Sequence, residues 1–509
     1  MKFQARLIGQ RWWLCLLFCL LLCTFSVAAQ TATSSPSFPL SCSLTQISPA
    51  QRSLHVRCTL ADPPTGKLRI HLTDQFAGVA ALSERVFGFK VREANGDALP
   101  LELLGNGVSR VTLNAAAKQL SLGYELRLAR ALDPAQYALV SSLGPDAGVL
   151  LLADVLPRVC VGDADCDASN AVRVRITPPD GWQLATSEKE QGAEYVIADP
   201  ARAVFLLGRL RTKTVSVGGL QLRVALTGSW RFRDDAVLAL AEAIVREQAA
   251  LMGGTETGEV LFALAPYPQP LTGLRSSAIT PGRTVVLLLN EHQNDAQTWA
   301  QFRFHLAHEL FHVYLPNAFR IRENFDWFWE GFTRYVALVT LVRLRVLGVR
   351  EYLDALNVEY DAYAFNPLRA QLSLVAASPE KFANAASYDL VYRKGMLVAA
   401  LYDLELRWQS RGQRNIADVM QRLYREYGRT GKDIGNQEVL TVLAAEGDFA
   451  RLLRDDITGT TEIDLAARVK PYGLVVESSA PLRGRTRLAV KEKLSDRQRQ
   501  LLVQFLGSL

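Results

Sequence analysis

Histidine is scarce in this chain, six among 509 residues, so two of them at a meaningful spacing carry weight. Cysteine is nearly as scarce. Three of the seven, Cys15, Cys19 and Cys23, lie close to the N-terminus, and no C-x-x-C pair occurs, which excludes a cysteine-built zinc site. There is no N-x-S/T sequon, which favours a bacterial envelope over a glycosylated secretome. No basic run is interleaved with aromatic residues. The formal net charge is +6, and removing Lys2, Arg6 and Arg11 with a leader leaves about +3, too little for a nucleic-acid surface. No internal repeat is visible. Apart from the N-terminal segment, no apolar run is long enough to cross a bilayer. An apolar content of 49% against 21% charged residues excludes a disordered chain. At 509 residues the chain exceeds one average core, so two or three domains are expected.

The N-terminal segment has a basic start (Met1 to Arg11), an apolar run from Trp12 to Val27, and small residues at Val27-Ala28-Ala29. It reads as a secretory signal peptide over residues 1–29, which makes the protein exported and periplasmic, with no membrane span after cleavage. The competing reading is an uncleaved membrane anchor. The remaining cysteines, Cys42, Cys58, Cys160 and Cys166, are even in number, as an exported chain allows. Three connectivities are open to them, and only sequence proximity favours pairing Cys160 with Cys166 and Cys42 with Cys58. Asp163, Asp165 and Asp167 lack the glycine and closing glutamate of a calcium loop and read as a solvated turn.

After a Ser/Pro/Thr linker at 30–39, short runs alternate apolar and polar residues with period two. Leu54 to Leu60, Leu68 to Leu72, Val172 to Ile176 and Leu220 to Leu226 are examples, separated by turn signals such as Asn95-Gly96-Asp97. Residues 40–229 are therefore expected to form an all-β, sandwich-like domain. His55 and His71 fall on these strands as ordinary strand residues. From 230 to 475 the pattern becomes α+β and mainly helical. A helix is expected from Asp234 to Met252, stopped by Gly253-Gly254, then two apolar strands, then a helix from Asn294/Asp295 that stops before Pro316. Residues 476–509 read as a C-terminal tail with a short helix capped near Ser495.

The chemistry concentrates in Phe304 to His312. His308 and His312 are four residues apart and share one helix face, so both can reach one metal ion. Glu309 lies about 100° round the helix, placed to act as a general base rather than a ligand. This is the H-E-x-x-H pattern of zinc peptidases. Catalytic zinc keeps three protein ligands and one open position. Glu330, eighteen residues after His312 at the start of an apolar helix, is the expected third ligand. Two imidazoles and a carboxylate select zinc. An oxyanion donor is needed as well, and Tyr388 and Tyr392, four residues apart, are available on the helical part.

His308-Glu309-Leu310-Phe311-His312, Trp327-Phe328, Glu330-Gly331-Phe332-Thr333 and Tyr392-Arg393-Lys394-Gly395 together resemble the gluzincin metallopeptidases. Within these the chain is most similar to the glycyl aminopeptidase family. Pro179-Asp180-Gly181-Trp182 and Asp456-Ile457-Thr458-Gly459 extend the resemblance over roughly 175–475. It implies a multidomain chain, with a β domain followed by a thermolysin-like catalytic domain. It also implies a transition-state tyrosine in the Y-x-K-G string, which is Tyr392, with Tyr388 behind it. Two features depart from the family. Its Gly-Gly-x-Glu-His string, whose Glu would hold a substrate's amino group, is matched here by Thr272 to Ser277, where Arg275 replaces the acid and repels an ammonium group. Glu291-His292 is a substitute, although a turn is the simpler reading. Members of the family often carry a C-terminal PDZ domain, and none is expected in the residues after 475, which are too few to form one.

The expectation is an exported zinc metallopeptidase acting on peptides, with Glu309 as base and Tyr392 as oxyanion donor. Aminopeptidase and endopeptidase action both stay open. The competing functions are a binding or scaffold protein with a structural or vestigial metal site, and a zinc hydrolase of a non-peptide amide or ester.

Overall fold

The computed structural model describes residues 40–114, 116–162, 171–290, 295–478 and 486–506. The expected leader and linker, the Asp163 to Asp167 turn, Cys166 and Glu291-His292 lie outside these. Among the described residues no helix is long and apolar enough to cross a membrane.

The N-terminal part is β-rich, as its alternation requires. On Ser53–Ala61 the side chains of Leu54, Val56, Cys58 and Leu60 are buried while His55 and Arg57 are exposed. This strand lies between Leu40–Ser48 and Gln119–Arg127 in a seven-stranded sheet. A four-stranded sheet supplies Leu68, Ile70 and Val111 to the same core, which makes the pair a sandwich. Cys42 stands opposite Cys58 in the register and is bonded to it. Cys160 is disulfide-bonded too.

Arg211–Val217 and Leu220–Leu226, expected within the β domain ending at 229, belong to the sheet that carries the site. Leu220–Leu226 pairs parallel with Gly258–Pro266, which pairs parallel with Thr284–Leu289. Gln221 and Arg223 give this strand the alternation of a sandwich strand, so sequence could not tell the two sheets apart. Thr284–Leu289 is buried at all six positions, as a parallel strand covered on both faces should be. Ser276–Ile279 pairs antiparallel at the sheet's edge.

The helix Asp234–Met252 ends as read, on Gly253 in the left-handed region (φ 74°). The helix Asp295–Phe311 packs Phe302, Leu306 and Leu310 against Val224, Phe262 and Leu287 of the sheet. Its opposite side meets the helical part, whose core gathers Trp327, Phe328, Phe332, Tyr335 and Tyr402. The tail is part of this body. Leu474–Ser478 and Thr486–Val490 form a hairpin, and the helix Asp496–Leu506 starts from a Ser495/Gln498 capping pair and buries Leu501, Leu502 and Phe505.

Two glycines bring the pieces of the site together. Gly331 opens the helix Gly331–Arg343, Gly395 opens Gly395–Gln409, and their backbones touch. A Cβ on Gly395 would stand 2.8 Å from Trp327 O and 2.9 Å from Gly331 Cα. Gly395→Ala is therefore expected to destabilise the chain by about 1–3 kcal/mol. Urea unfolding reads this, and because Glu330 precedes Gly331, bound metal per chain should fall with it.

Candidate active site

His308 and Glu309 sit in the last turn of the helix Asp295–Phe311. His312 lies one residue past it, in a tightened turn where its N–H donates to Glu309 O at 3.1 Å. The expected helix up to Pro316 is thus shorter. The turn still keeps both imidazoles on one side, with ring centroids 4.6 Å apart. Glu330 is the residue between the short helix Asp326–Trp329 and the helix Gly331–Arg343.

Three lone-pair donors converge there. His308 Nε2 is 3.0 Å from His312 Nε2, and Glu330 Oε2 is 3.3 Å from the first and 3.5 Å from the second. His312 Nδ1 donates to Leu315 O at 2.8 Å, which leaves the Nε2 lone pair facing inward. His308 Nδ1 is buried without a partner among the described residues. Three ligand atoms about 2.0–2.2 Å from a tetrahedral zinc stand roughly 3.3–3.6 Å apart. The spacing and the donor set both fit that ion. Glu309 is close enough to be grouped with the two histidines, within 4.8 Å. Its Oε2, however, is taken by the Thr280 hydroxyl at 2.6 Å. Glu330, whose Oε2 faces both imidazoles, is the better third donor.

All four side chains are buried. Burial pushes His308 down to about 3, helped by the facing His312, so this ring is a neutral donor. Burial also pushes Glu309 up to about 7, against the pull of His312 and Thr280. Burial acts on Glu330 in the same sense, yet Lys381 and the two imidazoles outweigh it and hold the carboxyl well below its usual range.

Lys381 is the part of the site that sequence reading missed. In Ser378-Pro379-Glu380-Lys381 it looks like a surface residue; it is 6% exposed. Its ammonium lies 2.5 Å from Asp326 Oδ2 and 3.2 Å from Glu330 Oε1. One oxygen of Glu330 is thereby committed to Lys381, and only the other faces the imidazoles. Thr280 was missed too, since a threonine after an edge strand carries no signal.

Tyr392 sits on the π-helical segment Leu390–Lys394, a widened turn common at functional sites. Its ring stacks on Tyr388 at 4.4 Å, with Lys381 Nζ 5.7 Å and Arg334 5.9 Å from its centre. Burial, reinforced by Glu330, holds its hydroxyl well above the usual range, so it stays a donor. Tyr388 is exposed. Arg275 is exposed in the loop before the edge strand, and Ser276 Oγ beside it contacts His305 Nδ1 at 2.9 Å.

Residues 301–426 match the family model of the M61 glycyl aminopeptidases. This part of the chain is a gluzincin peptidase. The match spans the His308–His312 segment, Glu330, Lys381 and Tyr392, and agrees with the resemblance carried by the motifs. A search of curated proteins finds no match. Among solved structures, the peptidase is similar to an aminopeptidase N family protein from Idiomarina loihiensis, at 18% identity and a TM-score of 0.75, over 90% of this chain and 82% of that one. It is also similar to an M1 zinc metallopeptidase from Deinococcus radiodurans, at 16% identity and a TM-score of 0.52, over 84% and 96%. A variant of that enzyme solved with a Tyr-Ser-Ala substrate matches at 15% identity and 0.51, over 84% and 96%. At these identities the structures establish the fold.

Removing the Lys381 charge is expected to loosen the third donor. Lys381→Met should weaken metal binding about 10–100-fold, measured by chelator competition on the purified chain. Unaltered affinity would leave Lys381 a packing residue only.

Proposed function

We propose that this chain is an exported zinc metallopeptidase that cleaves peptide bonds. The convergence of His308, His312 and Glu330 at 3.0 to 3.5 Å, with a buried carboxylate next to them, carries this reading. In it, residues 1–29 are a cleaved leader, a β domain follows, and the catalytic domain runs to 475. Sheet membership favours placing the boundary before Arg211 rather than at 229.

His308, His312 and Glu330 would hold the zinc. When bound, zinc supplies Lewis-acid activation of a water and of the scissile carbonyl. Glu309 would accept a proton from the attacking water and return it to the leaving amine. Tyr392, kept protonated, donates to the oxyanion of the tetrahedral intermediate. The Deinococcus radiodurans relative, solved with a tripeptide, supports peptides as the substrate class.

Glu309→Gln separates this reading from that of a structural metal site. The variant should keep its metal and lose about 10²–10⁴-fold in kcat on a peptide library digested at neutral pH with and without chelator. Hydrolysis that survives this change would sink the mechanism. Tyr392→Phe should lower kcat about 10²–10³-fold while bound metal stays at the wild-type level, read by mass spectrometry of the native protein. A loss confined to KM would remove Tyr392 from the transition state.

A further inference from the structure

Glu309 is a long side chain asked to hold one pose. It is 7% exposed, and Thr280 makes the only side-chain hydrogen bond recorded to its carboxylate among the described residues. The Thr280 hydroxyl lies 2.6 Å from Glu309 Oε2 and 3.1 Å from Glu309 O, so its single proton bridges the head and the root of the same residue. Thr280 is itself buried. It directly follows the edge strand Ser276–Ile279, and its carbonyl accepts from Asn317 Nδ2 at 2.7 Å. Asn317 in turn donates its backbone N–H to His312 O at 3.2 Å. Its Oδ1 accepts from Arg202 Nη2 at 2.5 Å. One asparagine therefore ties the strand end that carries Thr280 to the turn that carries His312. The hydroxyl, the carboxylate and one imidazole are referred to a common frame.

We infer that Thr280 is a positioning residue for Glu309. Its hydroxyl occupies Oε2 and leaves Oε1 as the oxygen that takes the proton from the attacking water. The inference rests on the reading of Glu309 as general base. It adds a named donor, on a separate element, that selects which carboxylate oxygen reacts. A bound geometry off by an ångström costs about 10²-fold in rate, so a carboxylate free to rotate loses turnover without losing affinity for the peptide.

The test compares Thr280→Val, which keeps the shape and removes the hydroxyl, with Thr280→Ser, which keeps the hydroxyl. Each is assayed for kcat and KM on a chelator-sensitive peptide substrate, and for bound metal. Thr280→Val should lower kcat about tenfold to a hundredfold, with KM and metal content at wild-type values, and Thr280→Ser should recover most of the rate. Thr280→Ala removes the hydroxyl without placing a methyl group there, and should read the same loss if the valine variant folds poorly. An unchanged kcat in the valine and alanine variants overturns the inference. So does a serine variant as impaired as valine, or a loss confined to KM or to bound metal. Glu309→Gln is the reference. If it retains activity, the functional reading fails, whereas an inactive Glu309→Gln beside a fully active Thr280→Val overturns only the role of Thr280.

Discussion

Two imidazole nitrogens and a carboxylate oxygen are buried face to face, all three offering lone pairs to the same point. A buried carboxylate pays heavily for lost solvation, and burial alone would push the His312 ring down, yet facing Glu330 pushes it up to about 9, so without a metal ion a proton on that ring answers the carboxylate. The protein offsets part of this cost with Lys381, whose charge falls on the far oxygen of Glu330 and leaves the near oxygen facing the rings. Lys381 needs a partner of its own, and Asp326, four residues before Glu330, supplies it. Burial, reinforced by Glu330, pushes that aspartate up to about 6 even with the ammonium beside it, while the two carboxylates hold the ammonium of Lys381 above its usual range despite its own burial. The result is a preorganised donor set, with His308 in the last turn of a helix, His312 in the turn that follows and Glu330 at the junction of two helices.

The surrounding architecture follows from fixing that point. The helix with the two histidines is clamped between the five-stranded sheet, through Phe302, Leu306 and Leu310, and the helical part, through the aromatic core around Phe332 and Tyr335. Glu330 comes from the helical part and Thr280 from the sheet, so the site forms only when both sides are packed. The Gly331–Gly395 contact does for Tyr392 what Lys381 does for Glu330, bringing the π-helical segment as close to the Glu330 turn as two backbones allow. Arg334, in the same helix as Glu330's successor residues, is held by Glu359, which also binds Arg393 next to Tyr392. Glu359 is kept low against its burial by those two guanidiniums. One acid therefore fixes the two segments that flank the site.

The legible and the illegible parts of the chain divide along physical lines. The strands of the sandwich, the helix from Asp234 to Met252, the Ser495 cap and the Cys42–Cys58 pair were all readable, because each follows from local periodicity, capping or proximity. The end of the helix at Phe311 was not, because the turn after it is set by tertiary contacts that no pattern encodes. The sheet that Leu220–Leu226 joins is illegible for a related reason. Its alternation is genuine, but alternation reports exposure on one face and says nothing about which neighbour lies alongside.

The same division runs through the site. Few side chains can donate to a metal, and helical pitch sets the spacing of His308 and His312, so sequence can offer them as a candidate pair. What supports a donor is less constrained. Any buried cation could have held the far oxygen of Glu330, and any hydroxyl or amide could have met Glu309, so Lys381 and Thr280 have no spelling in the sequence. Both lie on separate elements, 51 residues after Glu330 and 29 before Glu309. Only the fold brings them there. Ligand identity is thus a chemical property that a sequence carries, while the pose of each ligand is a property of packing. The rate at which such a site turns over depends on the second at least as much as on the first.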